Sequence, residues 1–167
     1  MTANLSDADR AFWTRFQLAT GETARPRGVD AFGDSPEMMD ELLALVLSRT
    51  KQATASLARW YVDDPEGLPK PGDLWLITDG RGIPACVTRT TRVDVMPIRE
   101  VDAQFAWDEG EGDRSYDYWI TEHRKFWRRE AAREPTDEAK EDPDWFGWSY
   151  GARSDRTAPH GSTNGPA

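Results

Sequence analysis

The chain has 167 residues, a length that suits one domain with extensions and is enough to bury a sizeable core. Its formal net charge of −9 argues against binding of long duplex DNA, where neutralisation of phosphates by Lys and Arg dominates affinity, but not against one nucleotide in a local pocket. One cysteine excludes an internal disulfide, two histidines make a metal site weak, and no apolar run approaches the length that spans a membrane.

Two helices are predicted in the first 48 residues. Residues 1–22 contain a short helix, because apolar side chains recur there at helical spacing. A second helix begins in Phe32-Gly-Asp-Ser-Pro-Glu37, where a capping residue is followed by Pro36 at the first helical position. Apolar residues continue at helical spacing to about Ser48, so this helix is expected to bury one face.

Most of the predicted strands follow the second helix. The small and β-branched residues of 49–57 indicate a turn that enters a strand. Residues 72–78 alternate at period two, Asp79-Gly-Arg-Gly82 is a hairpin turn, and residues 84–95 form the returning strand or strand pair. Near the end of the chain, Trp145-Phe-Gly-Trp-Ser-Tyr150 is a candidate closing strand.

The stretch Phe105-Ala-Trp-Asp-Glu-Gly-Glu-Gly-Asp-Arg-Ser115 concentrates four carboxylates and two glycines. Packed acids repel one another unless a cation, a hydroxyl or a helix end takes them up. We interpret the stretch as a loop that runs into a helix and either carries ligand contacts or is only a solvated acidic turn. The helix continues to about Ala131, and His123 shares its aromatic face, which favours a packed core residue over a metal ligand.

This order of elements predicts an α+β fold, and a small β-barrel with helices packed on it is the closest simple architecture. We assign residues 1–30 to an N-terminal helix and connection, residues 31–150 to the domain, and residues 151–167 to a disordered tail. The tail assignment rests on the Ser, Gly and Pro content of the chain end.

Lys51 and Thr54 are the candidates for nucleophilic chemistry. A hydroxyl is a poor nucleophile until a neighbouring base takes its proton, and a lysine can be that base only if burial lowers its pKa. A nearby carboxylate would orient the lysine but raise its pKa, and the lysine would then stay charged and act as an oxyanion clamp. The alternative without function is an exposed lysine beside a threonine at the start of a strand.

Four stretches resemble, in this order, the ASCH domain (activating signal cointegrator homology) in its bacterial branch. They are Phe32-Gly-Asp-Ser-Pro, Leu45-Val-Leu-Ser-Arg-Thr-Lys-Gln-Ala-Thr-Ala-Ser-Leu57, Pro71-Gly-Asp, and Phe105-Ala-Trp-Asp-Glu-Gly-Glu-Gly-Asp-Arg-Ser-Tyr-Asp-Tyr-Trp119. The resemblance implies a PUA-like small β-barrel with flanking helices and a cleft suited to RNA or a nucleoside. The family includes RNA binders, ribonuclease-like members and small amidohydrolases that deacetylate N4-acetylcytidine.

In those amidohydrolases a lysine, a threonine three positions later and a distant glutamate act together. The resemblance assigns the catalytic roles to Lys51, Thr54 and Glu109, with Glu111 as the alternative glutamate. The residues that we expect to bind substrate are Arg49, Ser56, Trp60, Trp107, Glu111 and Arg114.

Arg49 departs from the family, whose members usually have glycine at this position. A glycine would end the preceding helix with a positive φ, so Arg49 either strains the turn or changes its path. It also places a cation beside the expected cleft, where it could meet a phosphate.

Two classes of function follow. The first is a metal-independent hydrolase that acts on RNA or on a modified nucleoside, and the acidic charge favours the small, neutral nucleoside. The second is a non-catalytic RNA- or nucleotide-binding module that stacks bases on aromatic side chains. We expect a cytoplasmic protein for either function, because the chain start lacks a signal-peptide pattern. Neither function is expected to need a cofactor or a membrane. The oligomeric state is left open.

Overall fold

A computed structural model describes residues 5–64, 66–133 and 148–156 of the chain. These residues form four α-helices and five strands, and two short 3₁₀ turns at Ala58–Tyr61 and Ile98–Glu100. In chain order the elements are α1 (Asp7–Thr20), β1 (Gly28–Asp30), α2 (Pro36–Leu47), β2 (Ala53–Leu57), β3 (Leu74–Thr78), β4 (Pro84–Pro97), α3 (Ala103–Glu109), α4 (Tyr116–Arg133) and β5 (Trp148–Arg156).

The first two helices begin at capping residues. Ser6 and Asp9 form a reciprocal capping box at the start of α1, in which each side chain accepts a hydrogen bond from the other residue's backbone N–H. The Ser35 hydroxyl accepts from the backbone of Met38 at the start of α2, and Pro36 follows at the first helical position. The predicted second helix is confirmed.

The strands form one open sheet in the order β1-β3-β4-β5-β2. β1 pairs with β3 in parallel, and the other neighbours are antiparallel. β4 is a single strand of 14 residues whose register shifts between Thr90 and Arg92. The α+β class is confirmed, but in the described residues the small barrel is not closed, because β1 and β2 remain the two edges of the sheet and do not pair with each other.

Two strands lie at the domain boundaries predicted at residues 30 and 150. Residues 28–30 belong to the sheet as β1, and β5 extends through Arg156, six residues into the predicted tail. β5 hydrogen-bonds on both sides, to β2 and to β4, and this double pairing outweighs the weak strand propensity of its Gly, Ser and Asp residues. Residues 157–167 lie outside the described part of the chain.

The helices cover both faces of the sheet. Alternate residues of a strand point to opposite faces, and in β3 Leu76 packs with Trp13 and Phe16 of α1 while Ile77 packs with Leu43 of α2. A third cluster joins β2 to α3 and α4 through Leu57, Ile98, Ala106, Trp119, Ile120 and Trp127. None of the helices in the described ranges is long and apolar enough to cross a membrane.

α3 reaches into the stretch that the sequence suggested was a loop. The side chain of Asp102 accepts a hydrogen bond from the backbone of Phe105, which caps the helix, and α3 then runs to Glu109. Gly110 ends it with a φ of 73°. The actual loop is therefore short, and Ser115 caps α4 beyond it by accepting from the backbone of Tyr118.

Candidate functional site

A cavity of about 370 Å³ lies among β1 to β4, α2 and α4. Its volume is at the lower end of the range that holds small-molecule ligands. Six aromatic residues line it, namely Phe32, Trp60, Tyr61, Trp75, Tyr118 and Phe126. The polar lining consists of the carboxylates Asp30, Glu109, Glu111 and Glu122, the hydroxyls Thr54, Ser56, Thr88 and Thr90, and the basic side chains His123 and Arg129.

Lys51 is tied to two carboxylates at the edge of this cavity. Its Nζ lies 2.6 Å from Glu109 Oε2 and 2.7 Å from Glu111 Oε1. The side chains of Lys51 and Glu109 are 3% and 1% exposed, whereas that of Glu111 is 21% exposed. Both glutamates therefore contact the lysine, and only Glu111 keeps appreciable access to solvent.

Backbone contacts hold the two sides of this cluster together. The backbone N–H groups of Thr50 and Lys51 donate to Leu45 O, which folds the chain sharply after α2. Gln52 N then donates to Asp108 O at 2.7 Å, so the segment around Lys51 is tied to the end of α3. The structure thereby brings Lys51 and Glu109 together from positions 58 residues apart.

Gly110 lets these two backbones approach closely. A Cβ at this position would lie 2.5 Å from Thr50 O and 2.7 Å from Thr50 C, which no side chain can accommodate without movement of the backbone. Gly110 therefore packs against the backbone of Thr50, just before β2. Glu109 and Glu111 flank this glycine, and both of their carboxylates reach Lys51.

Two residues of α4 complete the surroundings of Glu109. Trp119 Nε1 donates to Glu109 Oε1 at 3.0 Å, and His123 Nε2 lies 3.4 Å from the same oxygen. The His123 ring stacks on Trp119 with centroids 4.5 Å apart. His123 is mostly buried, as expected from its helical face, but it also lines the cavity and contacts Glu109, which the sequence did not predict.

The charges of this cluster support one another. Burial opposes the charged form of Lys51, but the charges of Glu109 and Glu111 outweigh it and raise the lysine pKa above its ordinary value. Burial also opposes the charged form of Glu109, yet the charges of Lys51 and His123 lower the pKa of this carboxyl well below its usual range. At neutral pH the cluster thus contains the Lys51 ammonium and the Glu109 carboxylate. This favours Lys51 as a charged oxyanion clamp over Lys51 as a neutral base.

The predicted substrate-binding residues divide into two groups. Ser56, Trp60 and Glu111 line the cavity, as do Thr54 and Glu109 of the predicted catalytic set. Trp60 is 40% exposed and meets Phe126 edge to face.

Arg49, Trp107 and Arg114 do not line the cavity. The Arg114 guanidinium lies 4.0 Å from the centroid of the Trp107 ring and donates to Trp107 O, so this pair fastens the loop after α3. Arg49 is exposed at the end of α2 with a φ of 62°, in the left-handed region. Of the two alternatives for Arg49, a strained turn and a changed path of the chain, the positive φ indicates the strained turn.

Sequence reasoning missed further residues that line the cavity. Asp30 ends β1 and opens onto the cavity, but the surrounding protein atoms limit its hydration and raise the pKa of its carboxyl to about 6. Arg129 on α4 donates to Asp34 Oδ2 at 3.0 Å and thereby links α4 to the segment before α2. No local pattern marks these residues, because only the packing of α4 beside β1 and α2 brings them to one cavity.

In residues 5–64, 66–133 and 148–156, no three side chains of His, Cys, Asp or Glu are grouped so that they could hold a metal ion. The cavity is lined by charged side chains, hydroxyl groups and aromatic rings.

These features define the class of protein: an α+β domain with a buried ion cluster beside a small, aromatic-lined cavity. The model of the ASCH domain family matches residues 28–143, so the chain belongs to the ASCH domain family. No curated protein matches the chain.

Two solved structures support the fold. One is a crystal structure of an ASCH domain from Lactobacillus crispatus, with a TM-score of 0.82 and 23% identity, covering 93% of this chain and 98% of that one. The other is a crystal structure of a protein from Enterococcus faecalis, with a TM-score of 0.76 and 33% identity, covering 89% of this chain and 92% of that one. The resemblance to the ASCH domain is thus confirmed for the family and for the α+β class of the fold, whereas the described residues do not form the closed barrel that it implied.

Proposed function

We propose that the protein binds the base of a modified nucleoside in this cavity and hydrolyses an acyl amide on it, with N4-acetylcytidine as the type of substrate. The observation that carries the proposal is the buried cluster of Lys51, Glu109 and Glu111 at a cavity that Thr54 also lines. A buried charge cluster is costly to fold and is characteristic of functional sites.

The lining of the cavity suits a neutral base better than a polyanion. Aromatic side chains such as Trp60 and Phe126 offer faces and edges for stacking. Carboxylates accept hydrogen bonds from the exocyclic amino groups of bases. Four carboxylates line the cavity against the two basic groups of His123 and Arg129, an excess that opposes the entry of several phosphates.

In the proposed reaction, the Thr54 hydroxyl attacks the acyl carbon and loses its proton to the Glu111 carboxylate. Glu111 suits this role because it is partly exposed, whereas both oxygens of Glu109 already accept hydrogen bonds from Lys51 and Trp119. The Lys51 ammonium has three N–H donors, of which two go to the glutamates, and the third stabilises the oxyanion.

The C–N bond then breaks, and the nucleobase leaves with a free amino group after Glu111 returns the proton to its nitrogen. Water then attacks the acyl ester on Thr54, with Glu111 again acting as the general base. The products are a carboxylic acid and the restored Thr54 hydroxyl. In this scheme Glu109 does not touch substrate; it keeps Lys51 charged and in place.

The test incubates the purified protein separately with N4-acetylcytidine and with a single-stranded RNA, and follows products by chromatography. We expect release of cytidine and acetate, no cleavage of the RNA, and a loss of turnover by about 100-fold or more in Thr54→Val. Thr54→Ser is the matched control, because it keeps the hydroxyl and should retain measurable turnover. Absence of cytidine at high protein concentration would contradict the proposal.

A non-catalytic binding module is the second candidate, because the aromatic-lined cavity could bind a base while the paired Lys51, Glu109 and Glu111 serve structure alone. The module predicts that N4-acetylcytidine or the RNA binds without any product. It also predicts that Lys51→Met weakens binding, measured by calorimetry under conditions in which the variant remains folded, whereas the hydrolase predicts lost turnover with binding largely kept under the same conditions.

A further inference from the structure

Both ring nitrogens of His123 face oxygens that accept hydrogen bonds. Nδ1 lies 3.0 Å from Trp119 O, and a backbone carbonyl can only accept, so Nδ1 carries a proton. Nε2 lies 3.4 Å from Glu109 Oε1, the oxygen of a buried carboxylate. A neutral ring would present the Nε2 lone pair to this negative charge, whereas a doubly protonated ring presents an N–H.

The charges in the cluster lead to the same protonation state. Glu109 and Glu111 contribute two negative charges, and Lys51 supplies one positive charge. A protonated His123 brings the sum of the four groups to zero. A neutral His123 would leave the cluster with one uncompensated negative charge. The side chains of His123 and Glu109 are only 12% and 1% exposed, and an uncompensated charge in such surroundings is expensive.

We propose that His123 is a positioning residue of this site: as a doubly protonated imidazolium it holds Glu109 in the orientation in which Glu109 fixes Lys51. His123 then acts through Glu109 and does not touch the reacting atoms. Its effect on turnover rests on the proposed hydrolase function, but its protonation state does not.

The charged groups around His123 favour its protonated form. Burial lowers its pKa, but the Glu109 charge at the end of α3 and the Glu111 charge in the next loop outweigh both burial and the opposing charge of Lys51, so the pKa of His123 is raised. On its own helix, Glu122 and Arg129 line the same cavity, and Asp30 lines it from β1. The neighbouring Trp119 and Trp127 rings are neutral.

The direct test is a pH titration of the histidine ring nitrogens by ¹⁵N NMR on the full chain. The sequence has only two histidines, His123 and His160, so a spectrum of His123→Asn assigns the signals. We expect both nitrogens of His123 to stay protonated above the ordinary histidine pKa of about 6.5. A midpoint at or below that ordinary value would overturn the proposal.

A second measurement identifies the partner. In Glu109→Gln the midpoint of His123 should fall by about one unit or more, because the nearest negative charge is gone. An unchanged midpoint in a folded variant would show that Glu109 does not hold the proton. The wild-type titration decides the protonation state by itself, so the result stands even if Glu109→Gln does not fold.

Turnover separates positioning from mere packing. Gln at position 123 is long enough to offer an amide N–H to Glu109, whereas Asn ends near the position of Nδ1 and does not reach it. We expect His123→Asn to lower kcat about 10-fold or more with little change in KM, and His123→Gln to recover part of the loss. In the wild type, kcat should decline at alkaline pH as His123 loses its proton, and this decline should be absent from both variants. Equal kcat in Asn and Gln variants with an unchanged pH profile would leave His123 a packing residue.

If N4-acetylcytidine is not a substrate, the proposed function fails while the NMR titration still decides the imidazolium. If turnover is present but His123 titrates as an ordinary histidine, the proposed function stands and the positioning role fails. The two proposals are therefore tested independently.

Discussion

Lys51 Nζ lies 2.6 Å from Glu109 Oε2, and both side chains are almost completely buried. This contact joins the segment after α2 to the end of α3, two parts of the chain that are 58 positions apart. Removal of one partner from such a pair leaves an unpaired buried charge, which is why a single substitution is expected to cost more than the pair contributes.

Lys51→Met is expected to lower the free energy of unfolding by about 3–5 kcal/mol, because Glu109 loses its principal countercharge. Urea denaturation at neutral pH measures the change. Lys70→Met is the control: Lys70 is exposed, and its substitution should change stability by less than about 0.5 kcal/mol.

Lys51→Met combined with Glu109→Gln should be less destabilised than the sum of the two single variants, with a coupling energy of about 1–3 kcal/mol. The same denaturation experiment gives this value. Simple additivity would mean that the two side chains do not interact energetically in solution.

The combined stabilisation from Glu109 and His123 is expected to be greatest between about pH 4.5 and pH 6.5. The folded pKa of Glu109 is lowered, so its contribution is present above the unfolded carboxyl pKa of about 4.3 and is lost as the pH falls further. The folded pKa of His123 is raised, so its contribution is complete below about pH 6.5 and is lost as the pH rises through the folded value.

Denaturation curves between about pH 3 and pH 9 measure both limbs. His123→Asn should flatten the alkaline limb and leave the acid limb in place. An alkaline limb that persists in this variant would assign it to another group.

Gly110→Ala is expected to destabilise the protein more than Gly67→Ala does. Both glycines have a positive φ, 73° and 66°, so both substitutions carry the left-handed strain of about 1–2 kcal/mol. Only at Gly110 does the new Cβ meet the backbone of Thr50, whereas no atom lies within 4 Å of it at Gly67. Thermal melting compares the two, and equal losses would mean that the approach of the two segments is looser than 2.5 Å implies.

Arg49→Gly and Arg114→Gly should change stability in opposite directions, although both arginines have a φ near 60°. Glycine at position 49 relieves strain at an exposed turn and should stabilise by about 0.5–1 kcal/mol after its greater unfolded-state entropy is subtracted. Glycine at position 114 also removes the contact with the Trp107 ring and two hydrogen bonds, and a net loss of about 1 kcal/mol is expected. Paired urea denaturation experiments measure both, and two changes of the same sign would contradict this account.

Local features of the chain were predictable because they depend on neighbouring residues. Ser35 and Pro36 mark the start of α2, and the turn after Thr78 marks the hairpin between β3 and β4. The motifs around Lys51 and the acidic stretch indicated the ASCH family, which the family model confirms. A capping hydrogen bond or a period-two alternation spans only a few residues, so a sequence alone displays it.

The open sheet and the cluster around Glu109 were not predictable in the same way. β5 lies between β4 and β2 because its backbone finds partners on both sides, and its composition gives little sign of this. The sequence placed Lys51 and two candidate glutamates in one site, but only the packing of α3 and α4 decided that both glutamates reach the lysine. The same packing placed His123 beside Glu109, because contacts between distant segments depend on how helices and strands bury their apolar faces, which no local pattern records.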